Sequence, residues 1–308
     1  MRSARPERRA DARDEQDDRL AWIFGSSRSG STWLLGMLSE FEPVVPVDDP
    51  HLGHHLGVWR PLSLAFGAGE EVPELATLMD LKAEEQGYFF AARHRERWEP
   101  PLRELIRARF EAQAEEEGAP RPRTIVVKEP GSQVASLLTE IFPASKLIFL
   151  LRDGRDVVDS WLAAYRRGSW AIRGGAFAVA EEGRIPLIRW LASVWAYRTR
   201  AVQAAYERHP AESRVLVRYE DLRADTAATL RRVCETLGLD ADAADGVAER
   251  HRFERVPSRE RGPLSFVRAA RPGGWRESLS PAEQAAMHEA MGETLELFGY
   301  EPELRDAA

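Results

Sequence analysis

Short apolar runs alternate with longer amphipathic stretches along the chain. Leu20 to Ser26 is apolar up to Gly25, passes through the polar run SSRSGST, and resumes with Trp33-Leu34-Leu35, the order of a strand, a tight loop and a helix. Thr124 to Lys128 predicts a second strand, leading through Glu129-Pro130-Gly131 into a helix near Ser132–Ile141. Lys146 to Leu151 predicts a third, entering a helix at about Asp153, and Arg214 to Tyr219 a fourth. Helical periodicity covers 72–115, 185–208 and Thr226–Leu237, and Pro281–Leu297 adds a last helix with Ser280 as its N-cap. Residues 41–57 carry Pro43, Pro46, Pro50, Gly53 and Gly57 and are expected to be irregular. The stretch EEEGAPRPR at 115–123 reads as a surface linker too short to separate independent domains.

Strands alternating with helices predict an α/β fold of three layers, a central and mostly parallel sheet between helices. Residues 19–308 are expected to form one domain, with helical insertions around 58–115 and 165–200. Residues 1–18 are expected to be a disordered tail: they are highly charged and lack the apolar stretch of a secretory signal.

Composition narrows the function. The 308 residues are 44% hydrophobic, enough for a core, and the net charge of −7 argues against a nucleic-acid binder. Cys234 is the single cysteine, so neither a disulfide framework nor a cysteine-rich metal site is available. No apolar run reaches the length of a membrane span, and the cytoplasm is the default compartment. Lysine occurs only at 82, 128 and 146, so nearly all positive charge is arginine.

Two segments carry the chemistry. Gly25-Ser26-Ser27-Arg28-Ser29-Gly30-Ser31-Thr32 has the spacing of a phosphate-binding P-loop, with Ser31 where that motif has lysine. The glycines let the backbone curl its N–H groups inward, and the helix that follows adds positive potential for an anion. Lost is the cation aimed at a triphosphate; Arg28 places one inside the loop instead. Without a ligand the same stretch is a glycine-rich turn. The second segment, Lys146 to Trp161, delivers Arg152 to the C-terminal end of a buried strand, where open α/β sheets bind ligands, and puts Ser160 two turns into the next helix. Read structurally, Asp153 is a helix cap and Arg152 a surface ion-pair partner.

Together these segments resemble the PAPS-dependent sulfotransferases, whose P-loop-like fold binds 3′-phosphoadenosine-5′-phosphosulfate (PAPS) as co-substrate. Arg28-Ser29-Gly30-Ser31-Thr32-Trp33 is similar to that family's P-K-[ST]-G-[ST]-[ST]-W loop, with Arg28 for its lysine and Ser27 for its proline. The resemblance implies that Ser29, Gly30, Ser31 and Thr32 hold the 5′-phosphate, Trp33 lies against adenine, and Arg28 stabilises the leaving phosphate oxygen. It assigns Arg152 and Ser160 to the 3′-phosphate and brings Tyr219, in Tyr219-Glu220-Asp221-Leu222, toward the nucleotide. Near the C-terminus, Arg268 and Gly273-Gly274-Trp275-Arg276 resemble R-K-G-x-x-G-D-W-K, giving Arg268 to the 3′-phosphate and Gly273 to backbone contact. This chain departs from that pattern at Ala269, Ala270 and Gly274, and Arg271 is a candidate replacement.

Transfer to a hydroxyl or amine also needs a base. The family's aryl and steroid members carry histidine in K-[TV]-H-L-P, but this chain reads Lys128-Glu129-Pro130-Gly131. Asp49 is the first candidate, as in members with a carboxylate after the first helix. Glu129 is the second, unless it caps the following helix, and His51, His54 or His55 the third. Lys128 is a candidate second cation. Asp49 with the three histidines also has the donors of a zinc site, in a spacing poor for one, and no metal is expected. The acceptor is expected to be a small molecule, with Trp59, Phe89, Phe90, Trp98, Trp170 and Phe177 as candidate lining. Two rivals remain: a divergent P-loop kinase or NTPase, with Asp153 as its magnesium carboxylate, and a nucleotide-binding protein without catalysis.

Overall fold

A computed structural model describes residues 18–56, 82–174, 183–257, 260, 262, 265 and 271–301. Expectations for residues 1–17, Trp59, the first part of the first insertion (58–81), Phe177 and Arg268 lie outside the described residues. Asp18, assigned above to the tail, pairs with Lys146 at 2.5 Å beside the sheet.

Five strands form an all-parallel sheet in the order β2-β3-β1-β4-β5: β1 (Leu20–Phe24), β2 (Val44–Asp48), β3 (Thr124–Glu129), β4 (Lys146–Leu151) and β5 (Arg214–Arg218). Alternation within β1 divides the core. Leu20, Trp22 and Phe24 point to one face, and Ala21 and Ile23 to the other. The helices, in chain order, are α1 (Ser31–Leu38), α2 (Leu52–His55), α3 (Arg95–Glu116), α4 (Ala135–Ile141), α5 (Gly154–Ala164), α6 (Trp170–Arg173), α7 (Arg184–Arg208), α8 (Tyr219–Ala224), α9 (Thr226–Leu237), α10 (Ala244–Arg250), α11 (Trp275–Ser278) and α12 (Pro281–Leu297). Residues of α3, α5, α7 and α12 cover the Trp22 face, and those of α1, α9 and α10 the Ile23 face. The α/β, P-loop-like three-layer expectation holds.

Strand β2 corrects the sequence reading, which took 41–57 as irregular. Proline is tolerated there because β2 is an edge strand. Pro46 has no N–H to give a ladder, and its carbonyl accepts from the Gln113 side chain at 3.2 Å. The 115–123 linker begins inside α3, which runs to Glu116.

The parallel order places the β1, β3, β4 and β5 C-termini on one edge of the sheet, and Arg28, Glu129, Arg152, Ser160 and Tyr219 lie within a few positions of one of them or on the helix it feeds. Gly25 is required where the chain leaves β1: a Cβ there would sit 2.2 Å from the Leu150 carbonyl oxygen of β4. Asp153 caps α5 by accepting from the Arg155 amide, and Ser280 caps α12 in a reciprocal box with Glu283.

Candidate active site

The β1–α1 loop takes the shape its sequence asks for. Arg28 (φ 74°) and Gly30 (φ 93°) both occupy the left-handed region, which turns successive amides toward the mouth of the loop. Gly30 has a second constraint, since a Cβ on it would lie 2.7 Å from the Tyr219 ring. The loop is closed by the Ser29 amide donating to the Ser26 carbonyl at 3.2 Å.

Two cations converge on it. The Arg28 Nε donates to Ser160 Oγ at 3.0 Å, and its guanidinium lies 5.2 Å from the centre of the Trp170 ring. Arg152, 9% exposed, donates to the Arg28 carbonyl at 2.9 Å and stacks 4.2 Å over Tyr219. Its Nε and the Ser29 hydroxyl are buried without a hydrogen-bond partner, two donors held ready for an anion. Burial pushes the Tyr219 phenol up, with Arg152 and Arg223 opposing, so Tyr219 stays neutral at physiological pH.

A cavity of about 480 Å³ opens from this loop, with Arg28, Ser31, Thr32, Arg152 and Ser160 at one end. Its flat apolar portion comes from Trp33, whose indole donates to the His251 carbonyl at 2.9 Å, and from Phe253 and Val256. Arg223 lies 5.6 Å from both the Trp33 and the Phe253 ring centres. His251, Phe253, Val256 and Arg223 carry no motif, and the sequence reading missed them.

The C-terminal element reaches the same cavity through Arg271, Gly274, Glu277 and Ser278. Asp156 of α5 holds it, accepting from the Gly273 amide at 2.7 Å and the Trp275 amide at 3.3 Å. The Gly273 amide, assigned above to the nucleotide, is thus given to Asp156. Burial raises the Asp156 carboxyl, with Arg152 and these amides opposing. Arg271 is paired with Glu277 at 2.5 Å.

A second cavity of about 340 Å³ lies across the loop, where Ser27, His51, His54, Glu129, Gln133 and Arg198 meet an apolar wall from α5 and α7. Glu129 is 1% exposed. Its Oε1 accepts from Gly131 at 2.8 Å and Gly53 at 3.4 Å, and its Oε2 accepts from Leu52 at 2.8 Å. The carboxylate therefore ties the start of α2 to the β3 turn, a wider task than the expected cap of the following helix. Burial pushes its pKa up, only partly offset by these amides and by His51 nearby.

Asp49 lines neither cavity. With φ 50° its half-exposed carboxylate turns to Lys128 at 3.3 Å, and Asp48 meets the same ammonium at 2.5 Å. Lys128, 6% exposed, donates to Thr32 Oγ1 at 2.8 Å and so braces the β1–α1 loop. His51 and His54 line the second cavity, and no group of three metal-ligating side chains assembles among the described residues. Asp153, the magnesium carboxylate of the kinase reading, is engaged on both oxygens by Arg155 at 2.9 to 3.2 Å. Of the expected acceptor aromatics, Phe90 and Trp98 pack against each other at 5.3 Å, Phe89 is exposed, and Trp170 stacks on Arg28. The wall is built instead by Trp161, Tyr165, Trp190, Leu191 and Val194.

The profile of the Sulfotransferase family matches residues 21–243. Among solved structures, mouse sulfotransferase SULT7A1 complexed with PAP has a TM-score of 0.55 at 13% identity, covering 94% of this chain and 90% of its own. Sulfotransferase STF9 from Mycobacterium avium has a TM-score of 0.53 at 16% identity, covering 95% of this chain and 81% of its own. At these identities the likeness is one of fold. No curated protein sequence matches the chain. Among the described residues no helix is long and apolar enough to cross a membrane.

Proposed function

Because the chain belongs to the sulfotransferase family, we propose that it transfers the sulfuryl group of PAPS to a hydroxyl (or amine) of a small-molecule acceptor and releases adenosine 3′,5′-bisphosphate. The observation that carries this reading is a pair of cations at the mouth of a backbone loop, Arg28 bonded to Ser160 and Arg152 bonded to the Arg28 carbonyl, with two buried donors unused. A ligand with phosphates at both ends of a ribose satisfies both cations, whereas a triphosphate lacks the lysine it needs at Ser31. Trp33, Phe253 and Arg223 form a slot for a flat base.

In the transfer, the acceptor oxygen attacks sulfur in line, the bond from sulfur to the phosphate oxygen breaks, and its electron pair stays on that phosphate. Arg28 and the loop amides stabilise the charge that develops there. Trp170 and Ser160 hold the Arg28 guanidinium in a pose that a lysine ammonium does not reproduce. Lys128 positions Thr32, with Asp48 and Asp49 as its counter-charges.

The proton of the acceptor goes to Glu129. It lines the second cavity, its Oε2 accepts one backbone hydrogen bond and keeps a lone pair, and burial raises its basicity. Asp49, the first expectation for this role, lies against Lys128 instead.

Sulfur-labelled PAPS offered with a panel of phenols, alcohols and amines, without added metal, tests the reading. Transfer of label to at least one acceptor supports it. Turnover of ATP with magnesium and indifference to PAPS would return the chain to the P-loop kinases.

A further inference from the structure

We propose that the acceptor is a hydroxy acid: an apolar body carrying a carboxylate within a bond or two of the hydroxyl that receives sulfate, with Arg198 and Gln133 as the residues that read the carboxylate. The proposal rests on the sulfuryl-transfer reading above and names the acceptor class for it.

Helix α7 grades the second cavity from apolar to cationic. Trp190, Leu191, Val194 and Arg198 all line it, and the spacing 190, 194, 198 places three of them in one row along the helix, about 12 Å from end to end. Trp161 and Tyr165 of α5 and the turn after it add a stacked aromatic pair, with ring centres 5.7 Å apart. The apolar end takes a ring or alkyl body.

The other end meets the phosphate loop. The Arg198 Nη1 lies 3.5 Å from Ser27 Oγ, and its Nε donates to Gln133 Oε1 at 3.2 Å. That bond fixes which way the amide points, since an arginine Nε can only donate. Gln133, 4% exposed, is left with a buried Nε2 that has no partner. The Arg198 guanidinium and the Gln133 amide, bonded to each other, set a cation beside an unmet amide donor, a pairing that suits a carboxylate. An unmet buried N–H is costly, so a ligand that satisfies it gains accordingly.

The base fixes the neighbour relation. Glu129 and Gln133 stand four residues apart on one connection, from the end of β3 through Gly131 into the short helical turn Ser132–Val134. A hydroxyl presented to Glu129 therefore has its carboxylate beside Gln133, while the body extends along α7 toward Trp190.

The test compares three acceptors with PAPS: mandelate, the phenylethanol with methyl in place of its carboxylate, and the corresponding aminomethyl analogue. Mandelate is expected to exceed the neutral alcohol in kcat/KM by about thirtyfold. Arg198→Met should erase that advantage and leave the neutral alcohol within about threefold, and Gln133→Leu should reduce it by about tenfold. Calorimetric affinity for adenosine 3′,5′-bisphosphate, unchanged in both variants, shows that they are folded. Quenching of tryptophan fluorescence by mandelate, with the bisphosphate present, reports binding apart from turnover. Preference for the neutral or cationic acceptor, equal loss on all three acceptors in Arg198→Met, or no mandelate binding would overturn the proposal while the donor still binds. Failure of the wild-type chain to bind the bisphosphate would instead overturn the reading beneath it.

Discussion

The two cavities on either side of the phosphate loop are made from different kinds of sequence. The cavity proposed for the donor is assembled at strand ends: Arg28 follows β1 by four residues, Arg152 follows β4 directly, and Tyr219 follows β5 directly. Its contacts run between backbone and charge, as when Arg152 binds the Arg28 carbonyl. The second cavity is assembled from the face of α7, the end of α5 and a turn braced by Glu129, and its walls are aromatic and aliphatic side chains. On the proposed assignment, the donor site is set by loop geometry and the acceptor site by which residues face inward from a helix.

That contrast is open to attack, beginning with the largest effect. Glu129→Gln should lower kcat by about a hundredfold to a thousandfold, with bisphosphate affinity within about threefold of wild type. Asp49→Asn should change kcat by less than about tenfold; a reversed ranking gives the base to Asp49. The pH profile carries the same assignment. A base must be deprotonated, and burial raises the Glu129 pKa, so the rate should fall with decreasing pH through a midpoint above the ordinary carboxylate range. Next, Arg152→Ala should weaken the bisphosphate by about a hundredfold but adenosine 5′-monophosphate by far less, read by calorimetry. Gly30→Ala, which forces a side chain into the left-handed region and against Tyr219, should cost about tenfold in donor affinity. Trp190→Ala should be smallest on the donor side: acceptor KM rises about tenfold while the bisphosphate affinity stays put. If Trp190→Ala disturbs the donor as much as Gly30→Ala does, the two cavities are not separately built.

The same contrast explains what the sequence made legible. Strands β1, β3 and β4 are visible because buried parallel strands read as continuous apolar runs, the edge strand β5 shows only as the short Val215-Leu216-Val217 run, and Arg28, Arg152 and Ser160 come with the strands they follow. Strand β2 was hidden by Pro43 and Pro46, which an edge strand accepts and a central one does not. Arg198 and Gln133 were invisible. Nothing local marks an arginine near the middle of a long helix as the partner of a glutamine 65 positions earlier. Lys128 stands out in the sequence for its rarity, but its place beneath Thr32 comes with Asp48 and Asp49 at the end of β2, a strand its prolines conceal. The His51–His55 cluster drew attention by density alone; two of its members line the second cavity.

Every role proposed for these residues depends on PAPS as the donor. Calorimetric titration with adenosine 3′,5′-bisphosphate, beside ATP with magnesium and with Arg152→Ala as the control, tests it most directly. Binding at about micromolar affinity or tighter, lost in the variant and absent for ATP, is the expected result. Binding of magnesium-ATP with indifference to the 3′-phosphate would contradict it.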